Sequence, residues 1–233
     1  MTSDARSLTT EPRKPSLLDL FCGAGGAAKG YQRAGFYVVG VDIKPQPRYC
    51  GDEFHQGDAM TFPLEGFDAI HASPPCQRFS SASKAEGTWA SYPDLLTPIR
   101  ERLRSAGVPW VIENVPGAPM RADIKLCGCM FRLGVRRLRL FETEPRIFVL
   151  ASPHRHDYKA ERVYGCEAPP WLLRRLEQGV SELAGRDPKM VKWQRAMAID
   201  WMETREEMRE AIPPAYTEFL GTQLMRFLER QVA

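Results

Sequence analysis

The chain lacks any apolar run near the roughly 20 residues that a helix needs to cross a membrane. It also lacks the charged opening, short apolar stretch and small-residue cleavage site of a secretory leader. No membrane partner is expected. It has too few cysteines, six in 233 residues, for a disulfide scaffold. A reactive thiol needs a reducing compartment, so the expected location is cytoplasmic. Charge of one sign is scarce as well. A net charge of +3 excludes a chain that is basic throughout, so any nucleic-acid binding must rest on a local patch. The positive charge is carried far more by arginine than by lysine, which suits phosphate forks and base edges. Repeats and low-complexity tracts are absent. At 26.4 kDa, one α/β domain with a small appendage is expected.

The most informative residue is Cys76. It lies in Ser73-Pro74-Pro75-Cys76-Gln77-Arg78-Phe79-Ser80, directly after the largely apolar run Phe67–Ala72. That run reads as a short strand which the two prolines stop. The thiol is thereby placed at the carboxyl edge of a sheet, where open α/β folds put their chemistry. A cysteine does covalent work only as a thiolate in an accessible, polar place. Most single cysteines in proteins of this kind are small buried hydrophobes, and Cys22 in the glycine turn is read that way.

A second segment lies upstream. Leu17–Phe21 is a compact apolar strand, Cys22-Gly23-Ala24-Gly25-Gly26 a turn, and Ala27–Gly35 a helix. A second strand, Tyr37–Val41, ends at Asp42. Strand, glycine turn and helix open a nucleoside-binding unit, and an acidic residue roughly 20 positions on is the usual partner of ribose hydroxyls. The glycines permit positive φ and close backbone approach to a ligand. The turn is Gly-x-Gly-Gly rather than Gly-x-Gly-x-x-Gly, which fits a nucleoside cofactor without a pyrophosphate better than NAD. Asp58, in Gly57-Asp58-Ala59, is placed to accept from an adenine amino group. Taken singly, Asp42 and Asp58 also read as solvated caps of strand ends or turns.

With these segments in order, the chain resembles the cytosine-5 DNA methyltransferase family. Asp19–Gly26 looks like its S-adenosylmethionine motif, Pro74–Ser80 its nucleophile motif, Glu113-Asn114-Val115 its glutamate motif, and Arg137-Leu138-Arg139 its Arg-x-Arg motif. Ala211–Gly221 is similar to the carboxyl-terminal motif that completes the cofactor pocket, although Glu210-Ala211 stands where the family usually has Gly-Asn. The compact shape is that of phage-type and prophage-type members. The resemblance implies a Rossmann-like S-adenosylmethionine-dependent fold, a mostly parallel sheet with helices on both faces, plus a small irregular target-recognition region. It implies S-adenosylmethionine as cofactor, held by Asp19, Phe21, Gly23, Gly25, Gly26, Asp42, Ile43, Asp58, Ala59 and Pro75. It implies duplex DNA as substrate and a monomer. Cys76, Glu113, Arg137 and Arg139 are the implied catalytic residues.

Each role has a chemical reason. Carbon 5 of cytosine is a poor nucleophile until a thiolate adds at carbon 6 and makes it enamine-like. Glu113 would contact ring nitrogen 3 and the exocyclic amine, which needs a carboxyl whose pKa burial has raised. Arg139 would hold the carbonyl oxygen of the base, with Arg137 supporting it or a phosphate. The target base must be flipped out of the duplex at a cost of a few kcal/mol. Ser80–Thr88, small and polar, reads as a mobile loop that closes over DNA.

Residues 1–15 are expected to form a flexible leader, 16–142 with 201–233 the catalytic domain, and 143–200 the target-recognition region. Leu95, Leu96, Ile99 and Leu103 put a helix over Pro93–Ala106. Residues 204–210 have charged helical character, and 215–231 read as an amphipathic helix docked on the sheet. Cys127 and Cys129, with His154, His156 and Cys166, match no standard zinc template, so no metal is expected. The same motifs also suit RNA as substrate, a modified cofactor, or a silent nucleic-acid binder. An NAD oxidoreductase is disfavoured by the glycine spacing and by the Pro-Pro-Cys segment.

Overall fold

The computed structural model describes residues 13–147, 154, 156, 160, 161 and 187–232. These form a seven-stranded sheet in the order β3-β2-β1-β4-β5-β7-β6. The strands are β1 (Ser16–Leu20), β2 (Tyr37–Asp42), β3 (Glu53–Gln56), β4 (Ala69–Ala72), β5 (Trp110–Asn114), β6 (Ile124–Leu126) and β7 (Arg139–Glu144). β1 to β5 run parallel, and β7 lies antiparallel between β5 and β6. The carboxyl ends of β1, β2, β4 and β5 therefore share one rim with the start of β7 and the end of β6.

Alternation along the strands sends apolar side chains to both faces. Leu18, Leu20, Val39, Val41, Ile70 and Ile112 meet Leu96, Ile99 and Leu103 of helix α3 (Leu96–Arg104) on one face. Leu17, Val38, Ala69, Val111 and Phe141 meet Tyr31 of helix α1 (Gly26–Arg33) on the other. The final helix, written α6 (Pro214–Val232), adds Tyr216, Leu220 and Leu224 to that second face. The expectation of a mostly parallel sheet covered on both sides describes this architecture, and the docked amphipathic helix is α6.

The structure departs from the expected elements in places. Ser80–Thr88 is not wholly loop: Ser81–Ala85 forms a short helix, α2, because the Ser80 hydroxyl accepts from the Ser83 amide at 3.1 Å and caps it. β3 and β6 did not stand out as strands, being short and partly polar. Two more helices follow, α4 (Pro188–Met197) and α5 (Arg205–Glu210). α5 carries a capping box between Thr204 and Glu207. α4 falls within 143–200, yet its Met190, Trp193 and Met197 pack in one cluster with Ala24, Met208 and Ala211. The rest of the expected recognition region, 148–186 apart from 154, 156, 160 and 161, lies outside the described residues, as do residues 1–12 of the expected leader. Arg13 is ion-paired with Asp68 at 2.9 Å, and the Pro15 carbonyl accepts from the Tyr37 amide. Among the described residues, no helix is long and apolar enough to cross a membrane.

Candidate active site

The nucleophile loop leaves β4 at the carboxyl rim. β4 is buried along its whole length, and Pro74-Pro75 withdraw two backbone donors where it ends. The loop is held from β5: Asn114 Nδ2 donates to the Pro74 carbonyl at 3.0 Å, and Asn114 Oδ1 accepts from the Val115 amide at 2.9 Å. The Cys76 carbonyl accepts from the Phe79 and Ser80 amides at 2.9 and 3.0 Å. The Phe79 ring is buried in the core, which anchors the far side of this turn. Cys76 itself is half-buried against the same core.

Glu113 precedes Asn114 on β5 and pairs in register with Phe141 of β7. Arg139 opens β7, so the antiparallel strand delivers a guanidinium to the rim where β5 delivers a carboxyl. Arg139 Nε lies 2.8 Å from Glu113 Oε1, and each side chain is 8% exposed. The contact is a charge pair rather than a well-aligned hydrogen bond, since Glu113 Oε1 has no partner in the right direction. Burial lifts the Glu113 carboxyl above its usual range, with Arg139 and Arg137 opposing. Burial also lifts the Cys76 thiol; the Glu113 charge adds to the rise, and Arg139 and Arg137 work against it. The three residue types named from sequence thus act on one another electrostatically.

Arg137 is buried and Arg136 exposed. Two arginines of this basic stretch, Arg137 and Arg139, thus turn inward. Arg137 Nη2 donates to the Arg209 carbonyl, and the Arg137 carbonyl accepts from Tyr216 Oη at 2.6 Å. α5 and α6 thus hold the arginine turn in place.

The glycine turn follows β1. Phe21, Gly23 and Gly25 all have positive φ, and a Cβ at Gly23 would meet nothing within 4 Å. The Gly23 amide donates to Asp42 Oδ2 at 2.9 Å, tying the ends of β1 and β2. Ile43, next in sequence, is a large apolar side chain 69% exposed. Asp58 is exposed, with Oδ1 accepting from the Met60 amide at 2.9 Å, while Ala59 is buried. Pro75 is exposed beside Cys76. Asp19 is wholly buried, and among the described residues neither carboxylate oxygen has a well-aligned hydrogen bond. Burial, followed by the Asp42 charge, raises its pKa well above the ordinary carboxylate range, although the Ala28 amide works to lower it.

Where the carboxyl-terminal motif lacks Gly-Asn, other contacts tie that edge. Trp201 Nε1 donates to the Ala24 carbonyl at 2.8 Å. A Cβ on Gly26 would sit 2.6 Å from the Ile212 carbonyl, so α1 and the start of α6 touch backbone to backbone. Sequence reasoning missed three contributors: the Asn114 side chain as a clamp, Trp201, and buried His71. His71 Nδ1 lies 3.0 Å from Tyr31 Oη and its Nε2 2.7 Å from Ser73 Oγ, at the entry to the nucleophile loop. The only sequence signal for these was position, Asn114 beside Glu113 and His71 inside an apolar strand.

Residues 16–121 match the profile of the family described as C-5 cytosine-specific DNA methylase. Against Type II methyltransferase M1.HphI of Haemophilus parahaemolyticus, this chain is 32% identical over 93 residues, 33% of its own length and 25% of the relative. It thus spans about a quarter of the length of the curated relative it matches. Among solved structures, a candidate DNA modification methyltransferase encoded within an E. coli prophage is similar with a TM-score of 0.54. That match has 15% identity and covers 92% of this chain and 99% of that one. The Dnmt2 methyltransferase of S. pombe is similar at a TM-score of 0.54 and 12% identity, over 92% and 99% of the two chains. These likenesses show the fold.

Proposed function

We propose that this protein transfers a methyl group from S-adenosylmethionine to carbon 5 of a cytosine flipped out of duplex DNA, through a covalent bond between Cys76 Sγ and carbon 6. The observation that carries the reading is the buried Arg139–Glu113 pair at 2.8 Å, set where its charges act on the Cys76 thiol.

In this reading Cys76 Sγ, as thiolate, forms the bond to carbon 6. Glu113, whose raised pKa lets its carboxyl hold a proton, donates it toward ring nitrogen 3 and accepts from the exocyclic amine as charge develops. Arg139 turns part of its guanidinium toward the carbonyl oxygen of the base. Arg137 supports that orientation from the turn that α5 and α6 hold. Carbon 5, now enamine-like, takes the methyl. Loss of the carbon 5 proton and release of the thiolate restore the aromatic ring.

Asp19, Phe21, Gly23, Gly25, Gly26, Asp42, Ile43, Asp58, Ala59 and Pro75 would hold the cofactor, which when bound supplies an electrophilic methyl. The fit rests on the wholly buried carboxylate of Asp19, the open space at Gly23 and the exposed apolar side chain of Ile43. The residues between β7 and α4 would read the DNA sequence, with 1–15 as a leader outside the catalytic unit.

The experiment is trapping with labelled S-adenosylmethionine and duplex DNA carrying 5-fluorocytosine. Fluorine does not leave as a proton does, so the enzyme should stall as an adduct that Cys76→Ala abolishes. An adduct on RNA alone would move the substrate to RNA. No adduct on either, in protein that binds S-adenosylmethionine, would reject catalysis. Cofactor binding is read separately: S-adenosylmethionine at a hundred times its Kd should stabilise the fold by about 2.7 kcal/mol, and NAD should not.

A further inference from the structure

β6 ends at Leu126, opposite Arg139, and so delivers the next residues to the catalytic rim. Cys127 and Cys129 flank the first residue of a single turn there, Gly128–Phe131. The chain leaves β7 at the opposite edge of the sheet and comes back to the same rim with His154 and His156. One ligand atom from each of Cys127, Cys129, His154 and His156 lies within 4.8 Å of all the others. No template spacing marks this set, because a pairing of two antiparallel strands brings its halves together. The expectation of apolar packing and no metal had no access to that geometry.

We propose that Cys127, Cys129, His154 and His156 bind one zinc ion in a tetrahedral site. The measured edge supports it. Zinc bonds of about 2.3 Å to sulfur and 2.0–2.1 Å to nitrogen, at the tetrahedral angle, place the two ligand atoms about 3.6 Å apart. Cys127 Sγ and His156 Nε2 are 3.6 Å apart, within the reach of a sulfur hydrogen bond and equally right for two ligands of one ion. The His154 and His156 rings stand edge to face with centroids 4.3 Å apart, so both present ring nitrogens to the same small space.

The donor set selects the metal. Two thiolates and two imidazoles in a tetrahedron suit zinc, whereas calcium and magnesium take oxygen ligands. Two thiol protons are displaced on binding and the imidazoles stay neutral, so the filled site carries no net charge. That neutrality suits a place where Cys127 is buried. All four positions are filled by protein, leaving none for water or substrate. The site is therefore a fastening and not a second catalytic centre. It fastens the segment after β7 to the turn after β6. Arg136 Nη2 donates to the His156 carbonyl at 3.3 Å, so the fastened segment adjoins the turn that carries Arg137 and Arg139.

The test uses the full chain purified from zinc-supplemented culture. Elemental analysis should find one zinc per chain. Replacement by cobalt should give the thiolate-to-metal absorption of a tetrahedral site. His154→Ala and Cys129→Ser should lose the metal, whereas His154→Cys should keep it. A chelator should lower the Tm of the wild type. Wild-type protein that carries no zinc and develops no cobalt–thiolate band would overturn the proposal, as would a Cys127–Cys129 disulfide in the freshly purified chain. These readouts do not depend on methyl transfer, so the site and the proposed reaction stand or fall separately.

Discussion

Asn114 Nδ2 donates to the carbonyl of Pro74, so the strand that carries Glu113 also clamps the loop that carries Cys76. The acid and the thiol are thereby spaced by one hydrogen bond rather than by a long path through the core. Asn114→Ala would leave a buried carbonyl unsatisfied, at a cost of about 1–3 kcal/mol. It would also let the loop drift, and a displacement near 1 Å costs on the order of 100-fold in rate. Steady-state methyl transfer should show kcat falling tenfold or more, with KM for DNA changing less. An unaltered kcat beside a lowered Tm would reduce Asn114 to a brace.

The charges around Cys76 give opposite signs on substitution. Glu113 pushes the thiol pKa up and Arg139 pulls it down. Glu113→Gln should therefore speed alkylation of Cys76 by iodoacetamide at fixed mildly alkaline pH, while turnover falls. Arg139→Gln should slow it. Each unit of pKa is roughly tenfold in thiolate fraction below the pKa. Peptide mass spectrometry of Cys76 against pH reads both, and like signs from the two variants would remove one of them from the site.

His71 is buried, and burial holds its pKa down to about 3. Its unfolded value is near 6.5, so the unfolded chain takes up a proton that the folded chain refuses. Stability is fully present above pH 6.5 and is lost as pH falls from there toward the folded pKa. Between pH 7 and pH 5 this one group should remove about 2 kcal/mol. Urea denaturation should show the wild type losing more over that interval than His71→Gln, by about this amount. Equal losses would mean that His71 is protonated in the fold.

Two glycines separate crowding from backbone strain. A Cβ on Gly30 would lie 2.1 Å from the Pro214 carbonyl and 2.6 Å from the Glu218 amide, atoms that cannot step aside. Gly30→Ala should cost about 3 kcal/mol or more by forcing α1 and α6 apart. Gly66 has a φ of +87° and open space around it. Gly66→Ala should cost only the left-handed strain, about 1–2 kcal/mol. Denaturation midpoints for the pair should differ accordingly; equal losses would contradict the close packing of α1 on α6.

The strands that carry the chemistry were legible because each pairs an apolar run with a distinct stop: glycines after β1, Asp42 at the end of β2, prolines after β4. β3 was not, since Glu53–Gln56 is exposed and polar and is a strand only through its register with Val39–Asp42. α4 was hidden inside a proline-rich stretch, and tertiary packing on Trp193 and Met197 is what defines it. The chemistry-bearing residue types at the rim were readable one by one. Their pairing was not, because Arg139 reaches Glu113 only through an antiparallel strand whose direction no local pattern announces.

That reversed strand has one more consequence. Beyond β7 the chain is held at Glu161, whose amide donates to the Gly134 carbonyl, and again at α4, which packs on Ala24 of the glycine turn. A stretch tethered this way can be exchanged or lengthened without moving a single strand, and doubling its length adds only about 0.6 kcal/mol of closure entropy. In the proposed reading, changes in that stretch would rewrite what the protein recognises while leaving its chemistry untouched.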